Sequence, residues 1–182
     1  MKDRGPDPRA VDLSALCKHA ATMAGHWPLA RMPRLSGSFC AASDGSATWS
    51  ATGRLAAVAG AEPELWLHLQ ARADVPLQCQ RCLHSRTQPL QVVRHFRFVR
   101  NEDIAARLDE ESEEDVLALQ PRLDLHELLE DELILALPIV PRHDECPEPL
   151  PLPGDAPDAD ESAPHPFAAL AALRGRTPSD GD

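Results

Sequence analysis

Glu64-Leu65-Trp66-Leu67-His68-Leu69-Gln70-Ala71 sets Leu65, Leu67, Leu69 and Ala71 against Glu64, Trp66, His68 and Gln70. A repeat of two is the mark of a strand that buries one face. Outward from it, strands are expected at 34–42, 47–59 and 89–100, with turn-rich breaks at 43–46 and 60–63. In the last strand Leu90, Val92, Phe96 and Phe98 share one face, and His95 and Arg97 the other. Arg94 shares the apolar parity, which places it at a bulge or sheet edge.

Helical spacing appears at 11–24, where Asp12 or Ser14 can cap and Gly25 can stop the helix. It is clearest at 124–137: Asp124 caps, Glu127 takes the capping-box position, and Leu125, Leu128, Leu129 and Leu133 form the stripe. Pro138 and Pro141 end it. The run Glu130-Asp131-Glu132 reads as a solvated helix face rather than paired catalytic carboxylates. The acid-rich stretch 101–115 reads as a mobile loop or a solvated helical turn. The expected class is α+β, a mainly antiparallel sheet of about five strands with a few flanking helices.

At 182 residues the chain is long enough for one domain with tails. Its 18 Pro against 9 Gly and the absence of Tyr imply that part of it is linker. The expected division is an α+β domain at 1–143, a disordered acidic Pro-rich linker at 144–165, and a short helix and tail at 166–182. In that helix Phe167, Leu170 and Leu173 lie on one side and dock either on their own domain or on a partner. No apolar run approaches the ~20 residues that span a bilayer, and the charged, Pro-rich start has no signal-peptide core. The expectation is a cytoplasmic protein with no membrane contact.

The net charge is −11, which argues against a general polyanion binder. It is unevenly spread: residues 1–100 hold 13 Lys/Arg and 7 Asp/Glu, a net +6, whereas 101–165 hold 3 and 20, a net −17. The stretch 71–100 carries six Arg and one acid, so Arg81, Arg94, Arg97 and Arg100 are the candidate nucleic-acid contacts. The other reading of that stretch is an edge strand kept soluble by charge.

Phosphate-binding glycine loops, nucleophile elbows and zincin motifs are absent, so nothing in the sequence supports an enzyme or a small-molecule substrate. Two motifs remain: Cys79-Gln80-Arg81-Cys82 and His143-Asp144-Glu145-Cys146. A CxxC turn aims two thiolates at one point, and a distant His and Cys complete the tetrahedron that a zinc ion prefers. Cys79, Cys82, His143 and Cys146 are therefore the candidate ligands of one zinc. Two other readings stand beside this one: unliganded thiols near a strand turn, and a redox dithiol, which would need a helix N-terminus where strands flank the motif. Cys17 and Cys40 read as buried thiols.

Cys79-Gln80-Arg81-Cys82-Leu83, the run Glu130-Asp131-Glu132-Leu133-Ile134-Leu135-Ala136-Leu137-Pro138-Ile139-Val140-Pro141-Arg142-His143, the following Cys146 and the terminal Pro166-Phe167-Ala168-Ala169-Leu170 occur in that order. Together they resemble the large ribosomal RNA subunit accumulation protein family, called YceD in bacteria. The resemblance implies a small non-enzymatic cytoplasmic factor needed for synthesis, processing or stability of 23S rRNA. It also implies suspected metal and nucleic-acid binding, with large-subunit rRNA or its precursor particle as partner. Cys79 and Cys82 match the family's CxRC knuckle, and Cys146 its cysteine after the helix. The chain departs at its end, where the family commonly carries lysines and this sequence has only Arg174 and Arg176 before acids. The alternative function is an acidic adaptor that docks basic ribosomal or assembly proteins without touching RNA.

Overall fold

The structure of the chain, a computed structural model, describes residues 7–58, 60 and 62–148. It is an α+β fold around one five-stranded sheet of order β1-β2-β3-β4-β5. The strands are β1 (Thr22–Pro28), β2 (Ser46–Ala56), β3 (Glu64–Gln78), β4 (Ser85–Val99) and β5 (Asp115–Ala118). β1 to β4 form an antiparallel meander, and β5 runs parallel to β4. The helices are α1 (Leu13–Lys18), α2 (Pro33–Ser36), α3 (Glu102–Asp109) and α4 (Leu125–Leu135). None of the described helices is long and apolar enough to cross a membrane.

The alternation at 64–71 extends through β3: Leu67, Leu69, Ala71, Ala73, Val75 and Leu77 are all buried. Leu90, Val92, Phe96 and Phe98 of β4 join them, as the sequence pattern requires. Leu125, Leu129 and Leu133 of α4 and Leu13 and Leu16 of α1 belong to the same core. Asp124 caps α4 by accepting from the His126 and Glu127 backbone N–H groups. The core is therefore one-sided, built on the face that bears the odd positions of β3.

Several elements differ from expectation. The first helix ends at Lys18, because Ala20 takes φ 45° and the chain turns into β1, which places Gly25 within a strand. Pairing with β2 and stacking of Trp27 on Trp49, with ring centres 4.4 Å apart, outweigh helix propensity there. The strand expected at 34–42 is instead the short helix α2 as far as Ser36, followed by a turn and irregular chain. Pro33 opens it, and the carboxylate of Glu130 accepts the backbone N–H groups of Arg34 at 2.8 Å and Leu35 at 3.1 Å. Glu130 and Glu132 are accordingly 4% and 7% exposed rather than solvated. The acidic stretch 101–115 forms α3, capped by Asn101, and leads into β5, which the sequence pattern did not announce.

Arg94 sits in unbroken register opposite Leu69, on the core side of the sheet, with no bulge. Its Nε lies 2.8 Å from Glu132 Oε2. The first compact unit runs to Cys146. Phe167, Leu170 and Leu173, and most of the expected linker, lie outside the described residues.

Candidate metal centre

β3 and β4 are joined by a tight turn that carries both halves of the CxxC motif. The Cys79 N–H donates to the His84 carbonyl at 2.9 Å, and the Leu83 N–H donates back to the Cys79 carbonyl at 2.9 Å. Leu83 closes the turn with φ 63°, a conformation that non-glycine residues rarely adopt. Cys79 and Cys82 thereby point together and are buried.

The second half arrives from the exit of α4, where Pro138 and Pro141 stop the helix from continuing. The Gln80 N–H donates to the Pro141 carbonyl at 2.8 Å, which ties this segment to the knuckle. His143 Nδ1 lies 3.4 Å from Cys82 Sγ, and Cys146 Sγ lies 3.8 Å from Cys79 Sγ. One donor atom from each of Cys79, Cys82, His143 and Cys146 lies within 4.8 Å of the other three. Two Zn–S bonds of ~2.3 Å at a tetrahedral angle hold their sulfurs ~3.8 Å apart, the separation seen between Cys79 and Cys146. The S₃N donor set is of the borderline-soft kind that suits zinc.

Arg81 locks the arrangement. Its Nε reaches Cys146 Sγ at 3.0 Å, and its terminal nitrogen donates to the carbonyls of His143 at 3.2 Å and Asp144 at 3.1 Å. Arg86 donates to the Arg142 carbonyl beside it. Arg81, a candidate nucleic-acid contact in the sequence, makes these three hydrogen bonds inside the cluster.

The electrostatics favour one thiolate before any metal arrives. Burial pushes the Cys79 thiol up, but hydrogen bonds from the backbone of Cys82, His143 and Arg81 outweigh it and hold the group at about 5. Cys82 is raised, first by burial and then by the neighbouring sulfurs of Cys146 and Cys79. A divalent cation removes that penalty, because a coordinating thiol is deprotonated outright. The four residues can therefore hold a metal ion.

The candidate arginines elsewhere are engaged by acids. Arg94 pairs with Glu132 and Asp115, Arg97 with Glu64 at 2.6 Å, and Arg100 with Glu62. Arg94 and Arg97 point to opposite faces of the sheet, so the three do not make one positive surface. Among the other cysteines, Cys17 is buried as expected, whereas Cys40 is exposed.

The family model described as "Large ribosomal RNA subunit accumulation protein YceD" matches residues 67–174, more than half of the chain. The chain belongs to the YceD family. The matched region begins inside β3 and contains the whole knuckle and all four candidate ligands. A relative from Haemophilus influenzae (strain ATCC 51907 / DSM 11121 / KW20 / Rd), named "Large ribosomal RNA subunit accumulation protein YceD", is 37% identical over 109 residues. That alignment spans 58% of this chain and 63% of the relative's length. No solved structure matches the chain.

Proposed function

We propose that this YceD protein is a non-catalytic cytoplasmic factor needed for the accumulation of 23S rRNA, through its synthesis, processing or stability. The observation that carries the reading is the closure of Cys79, Cys82, His143 and Cys146 to within 4.8 Å inside the region that defines the family. In this reading the four hold one structural zinc. The ion would pin the exit of α4 to the β3–β4 turn, adding to the Gln80–Pro141 hydrogen bond that already joins them.

Phosphate contacts fall on Arg97 and Arg100, whose acidic partners can be exchanged for phosphate. Arg100 and Glu62 are 76% and 79% exposed, so that pair contributes little to stability and is readily surrendered. Arg81 and Arg94 act chiefly within the protein, although both belong to the Arg-rich stretch that motivates RNA contact. Phe167, Leu170 and Leu173 remain the proposed docking residues for a basic ribosomal or assembly protein.

Deletion of the gene tests the role. The expected result is a fall of 23S rRNA relative to 16S and co-sedimentation of the tagged protein with large-subunit precursors. Unchanged rRNA in the deletion strain would refute it. Metal analysis of protein purified without chelator should give about one zinc per chain, and Cys79→Ser with Cys146→Ser should abolish it.

A further inference from the structure

Among the described residues, α1, α2 and α4 pack on the core side of the sheet. Among these same described residues, none of these three helices covers the other face from β1 to the middle of β4. Its central side chains are not those of a bland solvated surface. His68 and His95, directly opposed on β3 and β4, stack with ring centres 4.3 Å apart and planes 10° from parallel. Trp66 follows on the same face, its indole held by Glu64 at 3.1 Å.

Two clefts lie side by side on this face. One of about 390 Å³ is lined by Thr52, Arg54, Trp66, His68 and His95. The next, of about 300 Å³, is bounded by Thr48, Ser50, Gln70, Arg72 and Val93. Arg54 and Arg72 are exposed at the two clefts, and among the described residues no ion pair engages either one. With Arg97 they give the face three positive charges against Glu64 and Asp74, opposite in sign to the chain's net −11.

We propose that this open face binds single-stranded RNA, with one base stacked in the His68–His95–Trp66 cleft and backbone phosphates held by Arg54 and Arg72. Flat aromatic rings flanked by unpaired guanidinium groups are the recurring chemistry of sequence-tolerant single-strand binding. Burial, and then the adjacent His95, lower the His68 pKa, so that ring offers an uncharged stacking surface at neutral pH. A duplex presents phosphates but no free base planes, and so cannot use the cleft. His68 and Arg72 are four residues apart on β3, about 13 Å at ~3.3 Å per residue, which leaves room for more than one nucleotide. The identity of the nucleic acid as RNA rests on the proposed role in rRNA accumulation.

The test is fluorescence anisotropy of the full chain with a labelled mixed-sequence RNA of about ten nucleotides, within the range of single-strand site sizes. His68→Ala with His95→Ala, and separately Arg54→Gln with Arg72→Gln, should each weaken binding by about tenfold or more, with circular dichroism unchanged. The arginine pair should also flatten the log–log salt dependence by about 1.4, ~0.7 for each phosphate contact removed. Arg122→Gln, which removes one positive charge outside the sheet, should bind as wild type, and Arg54→Gln alone should already weaken binding. Failure of the wild type to bind, equal binding by both natively folded double variants, tighter binding of the duplex, or displacement by poly-glutamate as effective as by RNA would each overturn the proposal. The functional reading stands or falls separately, on 23S rRNA in the deletion strain.

Discussion

Arg81 Nε lies 3.0 Å from the sulfur of Cys146, a residue 65 positions further along the chain. The same guanidinium holds the His143 and Asp144 carbonyls, so one side chain fixes the segment that bears two of the four candidate ligands. With zinc bound, three thiolates and one imidazole would leave the centre with a net charge of −1, which the adjacent Arg81 would offset.

Replacing Arg81 should therefore loosen the metal rather than unfold the sheet. Arg81→Ala is expected to weaken zinc binding by roughly 10- to 100-fold, the usual effect of removing a group that orients a ligand. Arg81→Lys should recover only part of this, since an ammonium cannot span a sulfur and two carbonyls as a planar fork does. Competition with a chromophoric zinc chelator reads both.

Glu130 supports a second prediction. Its carboxylate accepts two backbone N–H groups at the start of α2 and also faces the Arg34 guanidinium at 3.5 Å. Glu130→Ala leaves those donors unpaired in a largely buried setting, at a cost of roughly 3 kcal/mol. Glu130→Gln keeps an acceptor in place and should cost about 1 kcal/mol, because only charge is lost. Urea unfolding curves compare the two.

Glu130 also shows why part of the fold was hidden in the sequence. The local pattern of residues 34–42 reads as a strand, but what fixes α2 is an acceptor nearly a hundred positions away. The same cause explains the error at Glu130 and Glu132, which look like a solvated run until Arg34 and Arg94 are brought to them. Signals carried locally were legible in the alternation that becomes β3 and in the Asp124 cap, and the CxxC and HxxC pairs come together in space. The β5 strand, only four residues long and preceded by a run of acids, has too few alternating positions to register.

Gly53 tests the seat of α1 on the sheet. A Cβ there would stand 2.7 Å from the Leu16 carbonyl carbon and 2.8 Å from the Cys17 nitrogen. Both are backbone atoms, so no side-chain rotation relieves the clash. Gly53→Ala should destabilise the domain by about 3 kcal/mol through forced separation of α1 from β2, visible as a lowered urea midpoint at unchanged slope.

His126 makes stability depend on pH. It is 6% exposed, edge-on to Trp27 with ring centres 4.9 Å apart, and its Nε2 has no hydrogen-bond partner among the described residues. Burial lowers its pKa and the Arg9 guanidinium lowers it further, against the opposing pull of Asp124, Glu130 and a hydrogen bond to the Arg31 backbone. The folded protein therefore keeps this ring neutral at a pH where the unfolded chain, with a pKa near 6.5, takes up a proton. Since the unfolded state binds more protons, stability falls as pH drops below about 6.5 and levels off only beneath the folded value. His126→Gln retains a donor for Arg31 but cannot titrate. Between pH 7 and 5 its stability should fall less steeply than that of wild type, by up to about 1.4 kcal/mol per pH unit, the limit for a single proton. The difference between the two slopes isolates this residue, because every other titrating group is common to both proteins. Parallel slopes would show that His126 is protonated equally in the folded and unfolded chains.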